Sequence, residues 1–297
     1  MPLLTVFTPT YNRAYTLGRC YDSLCRQTVK EFVWLVVDDG STDNTRELVE
    51  TWKARDNGFE LRYVYQNNQG MHGAHNLAYE TIETEINTCI DSDDWMPEDA
   101  VEKILAFWQV CRADEGVYGF LALDAYENGD VVGTRFPKER IRATSYEYYN
   151  KYNIKGDKKF ILRTALTKQH SYPLFEGEKY VNLATKYSLL DTHYKLYCLN
   201  EVVCVVRYLE DGSTRNMFRQ YIKNPRGFAY SRKLCMALPF VSGQFRFCQA
   251  IHYVSSCLIS KNPNWLKESP RKGWTLIAAP FGVALWLYVK VKTKNLE

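Results

Sequence analysis

Phe32-Val33-Trp34-Leu35-Val36-Val37-Asp38-Asp39-Gly40-Ser41-Thr42-Asp43 is an apolar run that stops abruptly on two acids, a glycine and two hydroxyl residues. The figure recurs where Ile86–Ile90 runs into Asp91-Ser92-Asp93-Asp94. Around these two stretches, short apolar runs alternate with segments carrying apolar residues at helical spacing, the pattern of βαβ units and a mostly parallel sheet. The spacing predicts strands at Leu3–Thr8, Phe32–Val37, Leu61–Tyr65, Ile86–Ile90 and Val117–Leu123. Between them it predicts helices at Tyr15–Gln27, Thr42–Trp52, Gly70–Thr81 and Pro97–Cys111. Ser41 or Thr42, followed by Asp43, reads as the cap of the second helix, and Pro97-Glu98-Asp99 as the opening of the fourth. Past residue 125 the alternation fades. Glu127-Asn128-Gly129-Asp130 reads as a hairpin turn, 144–190 as short helices and loops, Lys195–Leu209 as two strand-like runs, and 211 onward as helical.

An open parallel sheet binds ligands beyond the carboxyl ends of its strands, where both acidic motifs fall. An acid closing the second strand can hold a ribose hydroxyl or a base N–H. A dinucleotide fold would also need a G-x-G-x-x-G turn, but Thr8-Pro9-Thr10-Tyr11-Asn12-Arg13 stands there, and no Walker A loop exists. In Asp91-Ser92-Asp93-Asp94, carboxylates at i and i+2 past a strand end can face one hard cation, with diphosphate oxygens and water completing its shell. The glycine and twelfth-position ligand of an EF-hand are missing. Taken singly, each motif reads as plainly as a solvated or capping turn; two at successive strand ends favour a site.

Composition narrows the class. The chain has 297 residues, 46% of them hydrophobic, enough for a large core, and a net charge of +4 that gives no reason to invoke nucleic acid. Nine cysteines are scattered singly, without metal-finger spacing, which fits a reducing compartment. Leu3–Phe7 follows the first methionine without a basic or apolar leader, so a cytoplasmic protein is expected.

In order and spacing, Pro9-Thr10-Tyr11-Asn12-Arg13, Asp38-Asp39-Gly40-Ser41-Thr42-Asp43, Asn68-Gln69-Gly70 with His75-Asn76, and Asp91-Ser92-Asp93-Asp94 resemble glycosyltransferase family 2. These are inverting enzymes of the GT-A fold, and the likeness points to those that build bacterial surface and capsular polysaccharides. It covers residues 3 to about 125 and thins toward 210. The resemblance implies an α/β nucleotide-diphospho-sugar transferase fold, a UDP-sugar donor and a Mn²⁺ or Mg²⁺ cofactor. It further implies donor contacts from Pro9, Tyr11, Arg13, Asp39, Asn68, Gly70, Asn76, Asp91, Ser92 and Asp93. Pro9, Tyr11 and Asp39 would meet the base, Asp91 the ribose and diphosphate, and Asp93, with Asp91, the metal. Met71 and His75 depart from residues frequent in relatives. A nucleotidyltransferase lacks its Gly-rich, basic triphosphate loop here, and a non-catalytic sugar-nucleotide module is the other alternative.

An inverting transfer needs a general base. Relatives place an acidic pair at a helix start, and Phe175-Glu176-Gly177-Glu178-Lys179-Tyr180 leads into the amphipathic run Tyr180–Leu190. Glu178 is the expected base, Glu176 the second choice and Asp191 the third; a helix-dipole role is the plainer reading of Glu178. His72 and His75 are read as phosphate-contacting or packed. Beyond a transferase region over 1–210 (donor half 1–125, acceptor half 126–210), residues 211–297 form a basic, aromatic helical extension. Arg207, Arg215, Arg219, Lys223, Arg226, Arg232 and Lys233 crowd its start. Trp274–Val289 is uncharged, broken by Pro280 and Gly282, and flanked by Arg271-Lys272 and Lys290, Lys292 and Lys294. At sixteen residues it is short for a spanning helix, and it reads as an interfacial or re-entrant segment at the inner membrane face, beside a glycan or lipid-pyrophosphate acceptor. A core helix is the competing reading, and an oligomer is compatible.

Overall fold

All five predicted runs become strands. A computed structural model describes residues 2–138, 141–207 and 217–293; Arg215 and Lys294 lie outside them. The order is β1 (Leu4–Thr10), α1 (Ala14–Cys25), β2 (Phe32–Asp38), α2 (Thr45–Lys53), β3 (Glu60–Tyr65), α3 (Met71–Thr81), β4 (Ile86–Cys89), α4 (Ala100–Cys111) and β5 (Val117–Ala125). Then come α5 (Ser145–Asn150), β6 (Lys158–Arg163), α6 (Thr164–Thr167), α7 (Ala184–Leu190) and β7 (Lys195–Val205). The chain continues in α8 (Met217–Lys223), α9 (Pro225–Ala237), α10 (Gly243–Ile259), α11 (Trp265–Glu268) and α12 (Lys272–Thr293).

The seven strands form one sheet in the order β3-β2-β1-β4-β6-β5-β7. The pairs β1–β2, β2–β3, β1–β4 and β5–β7 are parallel, while β6 runs antiparallel between β4 and β5. This is the mostly parallel, helix-flanked α/β sheet that the sequence predicts. Its core is aromatic where α1 and α2 cover the sheet: Tyr21 stacks on Trp52 at 4.3 Å, and both lie beside the fully buried Trp34.

Several local expectations are corrected. The second helix is entered through Asn44, and Asp43 instead accepts from the Thr45 backbone N–H, so neither Ser41 nor Thr42 caps it. The fourth begins at Ala100, after the predicted Pro97–Asp99 opening. β6 replaces part of the segment read as helices and loops, and β7 is one eleven-residue strand with register shifts rather than two runs. The turn at 127–130 is present, closed by Tyr126 N–H to Asp130 O at 2.8 Å.

Two compact units emerge. One takes Met1–Ser171 with His193–Leu209, the other Tyr172–Thr192 with Glu210–Glu297. The segment 172–192, read from the sequence as part of an acceptor half, thus groups with the C-terminal helices. Within that second unit α12 is a single helix of 22 residues that runs through Pro280. Thr275, Ala278, Gly282 and Val289 form its buried stripe, at the spacing of one helical face. Gly282 marks the closest approach to α10, since a Cβ there would fall 2.5 Å from Val254 Cβ. The glycine that looked like a break is a packing contact.

Candidate active site

The loops after β1, β2 and β3 are sewn together at the carboxyl edge of the sheet. Asp38 accepts from Ser41 N–H at 2.8 Å and from the Tyr63 hydroxyl at 2.7 Å. Burial, then the bond to Asp38, pushes that phenol above its usual range. Asp39, 3% exposed, accepts at Oδ1 from Gln66 Nε2 (2.6 Å) and Gln69 N–H (2.8 Å), and at Oδ2 from Gly70 N–H (2.8 Å). Its carboxylate therefore latches the loop that opens α3. Gly40 completes the fit: at φ +87° a side chain is disfavoured, and a Cβ would stand 2.7 Å from Asn68 N. Asn12 Oδ1 accepts from Thr42 N–H at 2.8 Å, and Asp43 accepts from Ala14 N–H at 3.1 Å, tying in the first loop.

The predicted donor residues divide by exposure. Tyr11 is 48% exposed and Arg13 half-buried, its guanidinium 5.6 Å from the Tyr15 ring. Asn68 and Asn76 are half-buried on the Asp39-latched loop and on α3. Pro9 is buried inside β1, paired with Val37. His75 is packed: its ring meets Phe7 edge-on at 5.0 Å, and Nδ1 lies 3.2 Å from the Tyr79 hydroxyl.

The second acidic motif follows β4 as a turn, with Asp94 N–H bonded to Asp91 O at 3.0 Å. Burial alternates along it: Asp91 exposed, Ser92 buried, Asp93 half-buried, Asp94 buried. Asp94 accepts from Arg207 N–H at 3.1 Å and lies 4.0 Å from Lys159 Nζ, which is 3.9 Å from Asp124. Burial pushes the Asp94 carboxyl above its usual range, with the Lys159 ammonium opposing and Asp91 adding to the rise. Burial likewise lifts Asp124 to about 6, against the same lysine. The exposed Asp91 and the half-buried Asp93 are the acids of this turn that could serve a hard cation arriving with a diphosphate, because such ions take one or two protein carboxylates and fill up with phosphate oxygens and water. No cluster of three or more His, Cys, Asp or Glu that could hold a metal ion occurs among the described residues.

Residues 5–168, spanning β1 through α6, match the model of "Glycosyl transferase family 2". The chain belongs to this family. It is 27% identical over 222 residues, 73% of the chain and 84% of the relative, to the glycosyltransferase TuaG of Bacillus subtilis (strain 168), named for teichuronic acid biosynthesis. It is 30% identical over 176 residues to the glycosyltransferase GlyA of Streptococcus pneumoniae serotype 4, covering 58% of this chain and 25% of that one. It thus spans only a quarter of GlyA's length. Among solved structures, S. aureus TarS 1–349 in complex with UDP-GlcNAc aligns with TM-score 0.66 and 17% identity, over 100% of this chain and 93% of the other. A Pyrobaculum calidifontis mannosyltransferase in complex with GDP-Man and Mn²⁺ aligns with TM-score 0.55 and 18% identity, over 97% and 88%. At such identities these likenesses speak for the fold, which is GT-A.

In this family 2 chain the predicted base has an occupation of its own. Glu178 lies in the second unit, its side chain 7% exposed. It accepts from Arg226 N–H (3.0 Å), Arg226 Nε (3.0 Å) and Gly227 N–H (2.8 Å), at the N-terminus of α9. The helix that Glu178 was expected to open begins only at Ala184. Arg226 also bonds the Glu176 carbonyl and covers the Phe175 ring at 5.6 Å, and Asn224 Oδ1 accepts from Lys179 N–H at 2.7 Å. The Glu176 side chain is exposed on this loop; Asp191 is buried at the end of α7. Sequence reasoning missed Lys159, Asp124, Gln66 and the backbone of Arg207. Asp124 had a signal, an acid near the end of a predicted strand, but Lys159 lay in a segment read as loops.

Proposed function

We propose that this chain transfers a sugar, with inversion, from a UDP-sugar to a hydroxyl of a growing surface polysaccharide at the cytoplasmic face of the membrane. The observation that carries the reading is the turn 91–94 at the end of β4, which leaves Asp91 exposed and Asp93 half-buried at the sheet edge where Asp39 latches the neighbouring loops. Asp93, with Asp91, is the pair that would hold Mn²⁺ or Mg²⁺. When bound, the cation supplies Lewis-acid relief of the charge that builds on the leaving diphosphate. Tyr11, Arg13, Asn68 and Asn76 stand at the same edge with partly accessible side chains to meet the nucleotide. Uridine is supported by the UDP-GlcNAc complex of TarS, and makes a UDP-N-acetylhexosamine the first donor to try. TuaG's name supports a surface polysaccharide, with a lipid-linked glycan as the acceptor to test.

For the proton acceptor, three donors on Glu178 favour a capping role, so we place the base on Glu176, exposed on the same loop. Membrane attachment is supported by α12: outside its buried stripe, Leu276, Ile277, Phe281, Leu287, Tyr288 and Val291 are exposed, with Arg271, Lys272, Lys290 and Lys292 at the ends. A helix with one packed face and one bare apolar face lies along an anionic bilayer surface rather than crossing it.

The experiment is Asp93→Ala in the full chain, with transfer and UDP binding measured with and without Mn²⁺. Transfer and the Mn²⁺-dependent gain in UDP affinity are expected to vanish while the melting temperature holds. Near-normal turnover of that variant in chelator would overturn the cation mechanism.

A further inference from the structure

We propose that Lys159 is a positioning residue for the cation-binding turn: it holds Asp94 inward as a buried counter-ion, so that Asp91 and Asp93 alone are left to face the donor and its metal. The proposal rests on the reading of Asp91 and Asp93 as the cation pair.

Three carboxylates within four residues repel one another, and nothing in the local sequence 91–94 decides which of them turns in. The decision comes from the neighbouring strands. β6 lies between β4 and β5, with Lys159 paired to Ala122 on β5. Its side chain, 13% exposed, reaches Asp94 (4.0 Å, 7% exposed) on one side and Asp124 (3.9 Å, 3% exposed) on the other. Asp124 Oδ1 has no hydrogen-bond partner, so the ammonium is its nearest compensation. Asp94 is tethered again by Arg207 N–H, and the paired bonds between Trp95 and Val205 (3.1 and 2.7 Å) fix the residue that follows. The Asp94 end of the turn is thus fastened to β6, to β7 and to the residue Arg207 just beyond it, so that Asp91 and Asp93 sit on a braced base. A buried ammonium between two carboxylates interacts far more strongly than an exposed pair, and removing it strands both acids.

The test uses the full chain, UDP and MnCl₂, with titration calorimetry. The readout is the ratio of UDP affinities with and without Mn²⁺, together with the donor KM and kcat. A general folding defect would weaken both affinities alike. Lys159→Met is expected to cut the Mn²⁺-dependent gain about tenfold or more and raise the donor KM, while metal-free UDP binding stays near wild type. Asp94→Asn, which leaves Lys159 paired with Asp124, is expected to do the same and stands as the test if Lys159→Met does not fold. Because the two act as one unit, the double variant should be no worse than the poorer single. A wild-type gain in both single variants, or losses that simply add, overturns the proposal. Asp93→Ala separates the premises: if it keeps the gain, the cation reading itself fails; if it loses the gain while Lys159→Met and Asp94→Asn keep it, only the role of Lys159 fails.

Discussion

Asp39→Ala distinguishes a loop latch from a simple nucleobase contact. The carboxylate receives three N–H groups, of which Gly70 N–H is buried and those of Gln66 and Gln69 partly so. A buried donor left without its charged acceptor costs about 1–3 kcal/mol, and a donor that water can reach about 0.5–1.5 kcal/mol. The sum is about 4 kcal/mol, which in a domain of this size lowers the melting temperature by roughly 8–16 °C. UDP affinity should fall both with and without Mn²⁺, because the loop from Gln66 to Gly70 loses its anchor before any cation is involved. Asp39→Asn keeps one acceptor oxygen and should fall between the two. The assay is thermal denaturation by near-UV circular dichroism, repeated with UDP at about 100 times its Kd, where binding alone stabilises by about 2.7 kcal/mol. A variant that melts with the wild type yet has lost UDP binding would refute the latch and return Asp39 to direct contact with the base.

Glu178→Gln tests the cap against the base: we expect a stability loss of about 1–2 kcal/mol in urea, with kcat within a few-fold of wild type. A loss of about 10²–10⁴ in kcat at unchanged stability would restore Glu178 as the base, and Glu176→Gln should show that loss instead. His252 is held down at about 4 by burial and then by Arg232. Its folded value lies below its unfolded one, so the stability it contributes is present above about pH 6.5 and lost as pH falls toward 4. That is about 1–2 kcal/mol once its partial exposure is allowed for. His252→Gln should flatten the dependence between pH 7 and 5 in urea titrations, and an unchanged slope would remove His252 as its source. Ile277→Glu with Leu287→Glu should abolish flotation with anionic liposomes while UDP binding persists; equal flotation of variant and wild type would exclude α12 as the attachment face.

Much of the sheet was legible because its signals are local. An apolar run of strand length followed by a polar turn announces β1, β2, β4 and β5 by itself, and the acids at the ends of β2 and β4 are found by reading one residue further. β6 was missed because Lys158-Lys159 at its start looks like surface. In the fold both lysines are turned inward: Lys158 Nζ donates to the Val132 (2.8 Å) and Lys155 (2.9 Å) carbonyls, and Lys159 faces two acids. A buried charge reads as solvent until its partners are known.

What the acids do and where they stand in the sequence are likewise separate matters. Asp38, Asp39, Asp94 and Glu178 all lie in motifs that spacing picks out as chemical, yet each is occupied by donors from far along the chain. Asp39 is met from 27 to 31 residues away, Glu178 from 48 and 49, and Asp94 from 113. Asp91, by contrast, stays exposed, and Asp93 lies half-buried just beyond it. A motif of paired acids therefore carries two jobs at once. One acid is consumed by the fold to fix a loop, while another stays at or near the surface of the same turn. Replacing the inward acids should damage positioning, and replacing Asp93 should damage binding without unfolding. A site in which both kinds of variant failed in the same way would mean that the division of labour drawn from burial is wrong.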